Sequence, residues 1–169
     1  MPPTPPRRIV TGHDEAGRSV VLSDGPTPTT HPFPTGAVFH EMWATADMPV
    51  PVGAAEPAEP TEGPLRVPPG PRGTIVHVID MPPGSSAPLH RTRTVDYGVV
   101  LDGEVVLELD DGTETVLTTG DVVVQRGTAH GWSNRSDDVV RMLFVMVDGG
   151  FTDELRSTVG DEALAQILE

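Results

Sequence analysis

Cysteine and lysine are both missing from this 169-residue chain. Without a thiol there is no disulfide and no thiolate nucleophile, and without a lysine amine there is no Schiff base. Aromatic residues make up only 4% of the chain, so Trp43, Trp132 and the single tyrosine, Tyr97, stand out. No window approaches the run of about 18 apolar residues that a membrane-spanning helix needs. The opening MPPTPPRRIV has two arginines but no apolar stretch of the kind a secretion signal carries. A soluble cytoplasmic protein without a membrane partner is the expectation.

Positive charge is also scarce. Eleven arginines, scattered along the chain, face 25 acidic residues, for a net charge of -14. Coulomb repulsion then opposes binding to phosphate backbones, and nucleic acid is not an expected partner. The length suits one domain with a sizeable core.

What is present is a series of short apolar runs punctuated by glycine and proline. Residues 7–24 read as a hairpin, with apolar runs at 8–11 and 19–22 around a polar turn at 14–17. Residues 25–36 hold four prolines and read as a loop carrying an exposed His31. Residues 37–45 (AVFHEMWAT) alternate, placing Val38, His40 and Met42 on one face and Phe39, Glu41 and Trp43 on the other. Residues 46–73 read as a long irregular loop. Residues 73–81 (GTIVHVIDM) alternate strictly, with Ile75, His77 and Ile79 on one side. Residues 139–148 are apolar on both faces, as a buried strand would be. Thr152 and Asp161 are placed to cap short terminal helices, the second with Leu164, Ile167 and Leu168 on one side.

The organising stretch is 84–134. It begins PPGSSAPLHRTRTVDYGVVLDGE around Gly84 and ends GDVVVQRGTAHGWSN, with a hairpin turn at Asp110, Asp111, Gly112 and Thr113 between the two halves. Residues two apart on a strand point to the same face, so positions 90 and 92 share one face. Short strands at this spacing, with almost no helix, indicate a sandwich or barrel.

This stretch resembles the cupin family. The first cupin motif runs from a glycine through five residues to His-x-His, then to a glutamate and, after six residues, a glycine. Gly84, His90 and Gly103 keep that spacing, with Thr92 in place of the second histidine and Asp96 in place of the glutamate. The second motif is matched by Gly120, Asp121, His130 and Asn134, with Arg126 and Gly127 replacing the proline turn. The match covers roughly 73–148, and it is closest to small single-domain actinobacterial cupins that carry HRTxTVDYG and GDVVVQRGTxH. It implies an all-β jelly-roll (double-stranded β-helix) barrel. Residues 1–72 would complete it with N-terminal strands and Pro-rich loops, 73–148 would be its core, and 149–169 a helical tail, all in one domain. The family's habit of pairing through N-terminal strands implies a homodimer.

Cupins hold a divalent metal on three histidines and a glutamate at the point where these residues converge. Here the resemblance implies His90, Asp96 and His130 as ligands to Fe, Mn, Ni or Zn. Thr92 is a poorer ligand than imidazole, and Asp96 is one methylene shorter than glutamate. A metal-free pocket in which the histidines hydrogen-bond to Asp96 and Thr92 is the alternative. His40 and His77 are candidate acids or bases, against a reading as satisfied core histidines. Arg126 would bind a carboxylate or enolate oxygen unless it is paired at the surface. Trp43, Gln125 and Trp132 would line the substrate pocket beside Thr92, while Tyr97 points away. The expected function is divalent-metal-dependent, redox-neutral lyase or isomerase chemistry (dehydration, decarboxylation or cyclisation) on an oxygenated small molecule. An Fe(II) dioxygenase and a non-catalytic binding protein are the other classes left open.

Overall fold

The computed structural model describes residues 4–53 and 58–164. The chain opens with a hairpin of β1 (Arg7–His13) and β2 (Ser19–Pro26), which forms a two-stranded sheet of its own. Then follow β3 (Thr29–Pro32), β4 (Val38–Thr45), β5 (Thr74–Met81), β6 (Ser86–His90) and β7 (Thr94–Asp102). β8 (Glu104–Leu109), β9 (Glu114–Thr118), β10 (Val122–Arg126), β11 (His130–Ser133) and β12 (Val140–Asp148) complete the strands. Two short helices end the chain, α1 (Asp153–Val159) and α2 (Asp161–Leu164).

The remaining strands form a six-stranded sheet in the order β10-β7-β12-β5-β4-β3 and a four-stranded sheet in the order β6-β11-β8-β9. Their inner faces meet in one core, where Ile75, Val100, Met142, Phe144 and Met146 pack against Val105, Leu107, Leu117 and Trp132. This is the expected all-β barrel with N-terminal strands and a short C-terminal helix.

Local chemistry explains the turns and caps. Gly112 closes the β8–β9 hairpin at φ 82°, a left-handed conformation that glycine adopts without strain, and Asp111 Oδ1 accepts from Thr113 N at 2.8 Å. The Thr152 hydroxyl caps α1 by accepting from Leu155 N at 3.3 Å. Ile167 and Leu168, expected on the apolar side of the last turn, lie outside the described residues. Residues 46–53 and 58–73 contain no helix or strand. Glu59 ties this segment to the hairpin through two hydrogen bonds from Arg8, at 2.9 and 2.6 Å.

Three expectations about the N-terminal half are corrected. The segment 25–36 is not wholly a loop, because Thr29–Pro32 pairs with β4. Its prolines are tolerated because β3 is an edge strand and needs hydrogen bonds on one side only. His31 is therefore not a free loop histidine; it lies on that strand, half-buried. Trp43 does not line the interior. The β4–β5 register shifts between Glu41 and Trp43, so Trp43 pairs with Val76 on the outer face, where the Arg8 guanidinium lies 5.6 Å from its ring.

His40 likewise leaves the interior. It pairs with Val78, whose neighbours two along, Val76 and Asp80, share the outer face of β5, while Ile75, His77 and Ile79 point inward. On the outer face His40 Nε2 donates to Asp80 Oδ2 at 2.9 Å, and its Nδ1 meets Thr30 Oγ1 at 3.1 Å. Arg141 clamps Asp80 through Nε and Nη2 at 2.6 and 2.8 Å, and its Nη2 also reaches Thr4 O. His40 and Asp80 are almost fully buried, so this network joins β3, β4, β5 and β12 and is structural. Removing one partner of a buried ion pair strands the other charge, so Asp80→Ala should destabilise the protein by about 3–5 kcal/mol in urea unfolding at pH 7. Asp24→Ala, which breaks the exposed Arg7 pair, should leave the midpoint nearly unchanged.

Candidate functional site

The antiparallel pairing of β6 with β11 sets His130 directly opposite His90. Their ring centroids lie 4.4 Å apart. His90 Nδ1 lies 2.8 Å from Pro88 O, and His130 Nδ1 lies 2.9 Å from Thr128 O. A carbonyl oxygen only accepts, so these bonds assign the proton of each neutral ring to Nδ1 and leave the lone pair on Nε2. Burial lowers the His130 pKa to about 4, helped by the charges of His90 and Arg91 and opposed by the Thr128 carbonyl. At neutral pH its Nε2 is a free base.

Positions 92, 94 and 96 follow the same inward alternation, and all three side chains are buried. Thr94 Oγ1 donates to Thr92 Oγ1 at 2.8 Å, and Thr92 Oγ1 donates to Asp96 Oδ2 at 3.3 Å. Among the described residues Asp96 Oδ1 has no partner. Burial raises the Asp96 pKa, against the pull of the Thr94 and Thr92 hydroxyls and the His90 charge. Gln125 pairs with Asp96 across β10 and β7, is buried, and has both amide atoms unpartnered among the described residues. Trp132 packs edge-on to His130 at 6.3 Å and to Phe144 at 5.6 Å. Gly98 makes room for that Phe144 ring, since a Cβ there would stand 2.8 Å from Phe144 Cε1.

The structure thus brings His90, Thr92, Asp96, Gln125, His130 and Trp132 to one region of the interior. Arg126 is a correction: the alternation that turns Gln125 inward turns Arg126 outward, where it is exposed and lines a surface groove of about 550 Å³ with Arg93 and Phe151. Arg91 was not singled out in the sequence. It holds the site's loops together through Gly127 O at 3.1 Å and Asp110 Oδ2 at 2.8 Å, and its position directly after His90 was the available signal. Asn134, the last motif residue, is structural, with Nδ2 donating to Met81 O and Asp138 O at 2.8 Å each.

His77 faces inward as expected. It sits beside Phe144 and Glu41 in the strand register, and burial lowers its pKa to about 4, with the charges of His31 and Arg66 adding to the effect. Glu41, another residue not singled out, is fully buried and accepts from His31 Nε2 at 2.9 Å.

The expected metal set is not assembled. Among the described residues no group of three or more His, Cys, Asp or Glu side chains is placed to hold a metal ion. Two imidazoles are in place, but a protein site for a divalent transition metal needs at least a third donor. Thr92 reaches only Asp96 Oδ2, at 3.3 Å, and leaves Oδ1 without a partner among the described residues, while a threonine hydroxyl is itself a weak ligand. The donor set does not fit a metal as it stands.

These shifts generate a pH signature. His77 and His130 have folded pKa values of about 4, below the ordinary value of about 6.5 for an unfolded histidine. Their unfolded forms bind protons first, so stability is full above about pH 6.5 and is lost as pH falls toward 4, by on the order of 2–3 kcal/mol for each. Asp96 has the opposite sign: its raised pKa means stability is lost as pH rises. Melting temperatures from pH 4 to 8 should show a steep acid limb that is shallower in His130→Gln. The advantage of Asp96→Asn over the parent should grow with pH, and a pH-independent gap would contradict the assignment.

Comparison with known proteins agrees with the fold. The Cupin_2 family, described as a cupin domain, matches residues 77–146. The phomopsin biosynthesis cluster protein C' of Diaporthe leptostromiformis is 40% identical over 85% of this chain and 78% of its own length. The cupin-domain-containing oxidoreductase fogC of Aspergillus ruber is 39% identical over 83% of this chain and 71% of its own. The cupin-domain-containing oxidoreductase srdD of Neurospora crassa is 34% identical over 83% and 74%. These relatives are fungal, and they give no support to the finer actinobacterial grouping. No helix among the described residues is long and apolar enough to cross a membrane. Identity above 30% over more than two thirds of each relative's length, together with the domain match inside the β-barrel, shows that this chain belongs to the cupin superfamily.

Proposed function

We propose that this cupin is a small-molecule enzyme that carries out redox-neutral proton-transfer chemistry on an oxygenated metabolite, a dehydration, isomerisation or cyclisation. The observation that carries this reading is the His90–His130 pair, each ring bonded through Nδ1 to a backbone carbonyl, in one barrel with a desolvated Asp96. Titratable groups whose surroundings push their pKa values apart are suited to opposite roles. His130, lowered, is the base that takes a proton from carbon next to a carbonyl. Asp96, raised, is the acid that protonates the departing or developing oxygen. The Gln125 amide N–H, without a partner of its own, supplies a hydrogen bond to that oxygen as charge builds. Thr92 and Thr94 orient the carboxyl, and Trp132 fixes the plane of the His130 ring.

The relatives named as biosynthesis cluster proteins support a metabolite as substrate. Those named cupin-domain-containing oxidoreductases favour a second reading, metal-dependent oxidation. Cupin domains commonly bind divalent metals. In that reading His90 and His130 would be two of the ligands and Asp96 would have to supply the third.

The test is turnover of hydroxylated carbonyl compounds in D2O, followed by mass spectrometry, with protein purified without a chelating tag and treated with EDTA. Metal-stripped protein should stay active, and His130→Ala and Asp96→Asn should each lose about 10²- to 10⁴-fold, the usual range for a general acid or base. Activity that appears only after Fe(II) or Mn(II) is returned would overturn the metal-free mechanism, and O2 consumption alongside it would support the oxidative reading.

A further inference from the structure

The barrel interior holds a second polar cluster that the proton-transfer chemistry does not use. Thr29, Glu41, His77 and Phe144 form one row across β3, β4, β5 and β12, on the inner face of the six-stranded sheet. Glu41 is 0% exposed and His77 1%. Glu41 Oε1 is held by His31 Nε2 at 2.9 Å. Its Oε2 has no hydrogen bond among the described residues, and the Arg66 guanidinium stands 3.7 Å away. Arg66 is itself directed by Pro60 O, 2.6 Å from its Nη2. Both ring nitrogens of His77 are buried and unpartnered among the described residues.

Buried polar groups in folded proteins are satisfied by protein, water or ligand. An imidazole that is neutral has one N–H and one lone pair. The unmet demand at this cluster is therefore one acceptor, for the His77 N–H, and donors for the His77 lone pair and Glu41 Oε2. A carboxylate or phosphate supplies acceptors only and would meet Glu41 with like charge. An ammonium supplies donors only, and the neighbouring Arg66 and His31 oppose it. A hydroxyl supplies both in one group. The apolar wall is also present: Phe39 packs edge-on to His77 at 5.8 Å, and Phe33 lies 4.9 Å from Phe39.

We propose that Glu41 and His77 form a binding subsite for a hydroxyl group of a neutral, ring-bearing ligand, with the hydroxyl donating to Glu41 Oε2 and accepting from His77 while the ring packs on Phe39. This deepens the reading of an oxygenated metabolite as substrate and rests on it for the identity of the ligand as substrate. The subsite selects neutral hydroxylated compounds over acids.

The test titrates the whole protein with benzyl alcohol, benzoate and benzylammonium, which share a ring and differ in polar group, while following the His77 and His130 ring resonances by NMR. Benzyl alcohol should move the His77 signals saturably, with benzoate at least about tenfold weaker. Glu41→Gln, which removes the charge but keeps an acceptor, should reduce that discrimination to about threefold or less. Arg66→Ala, at an exposed side chain, should weaken benzoate further and leave the alcohol unchanged, and it supplies the answer if Glu41→Gln fails to fold. His130→Ala should leave all three affinities as they were. Metal-stripped wild-type protein that binds the alcohol at His77 but turns over no substrate would count against the proton-transfer reading alone. The subsite is overturned if benzyl alcohol does not move His77, which would mean that water alone satisfies the cluster. It is equally overturned if neither Glu41→Gln nor Arg66→Ala changes discrimination between alcohol and acid.

Discussion

Withdrawal of imidazole and carboxyl groups from water is the constraint on which the chemistry proposed for this cupin depends. His130 and Asp96 stand on different sheets of one barrel, and the same physical effect acts on both. Desolvation penalises whichever form is charged, so it lowers a histidine and raises an aspartate. Burial leaves His130 neutral and basic and favours the protonated, donating form of Asp96. No third charged group need be imported to separate the two roles. The burial carries a thermodynamic cost, because neither group gains a full set of hydrogen bonds in return.

The two sheets divide the work. The β6–β11 ladder brings the two imidazoles together, and the carbonyls of Pro88 and Thr128 turn both lone pairs the same way, toward Nε2. β7, flanked by β10 and β12, carries Asp96 opposite Gln125. β5 shows how a period of two lets one strand serve two purposes. Its inward His77 carries two ring nitrogens without partners among the described residues, while its outward Asp80 is locked by Arg141 and His40 into a network that fastens the sheet to the N-terminal segment. The interior can therefore leave polar atoms unmatched for a ligand while the outer face is tightly satisfied.

Much of this was legible in the sequence because strand periodicity is local. The alternation of 73–81 placed His77 inward, the spacing of 90, 92 and 96 placed those side chains on one face, and the two motif blocks paired His90 with His130. What was not legible depended on register between strands distant in sequence. The irregularity after Glu41 turns Trp43 to the outer face, and no residue type at that point announces it. His40 and Glu41 are adjacent and both polar, and only the pairing with β5 decides that His40 is structural and Glu41 interior. The prolines around Thr29–Pro32 read as a loop because an edge position, which makes them harmless, is a property of the sheet. Arg126 and Gln125 differ by one residue, so a choice between them is a choice of face. The motif keeps the ligand spacing in sequence, yet among the described residues the expected ligands do not group around one point.

The central proposal is that His90 and His130 present Nε2 lone pairs for proton transfer and do not share a metal. Ring-nitrogen NMR of histidine-labelled protein at pH 7, before and after one equivalent of Zn(II), measures this directly. The account predicts a neutral His130 protonated at Nδ1, with Nε2 signals of both histidines unmoved by the metal. Nε2 signals of His90 and His130 that shift together and saturate at one equivalent would contradict it.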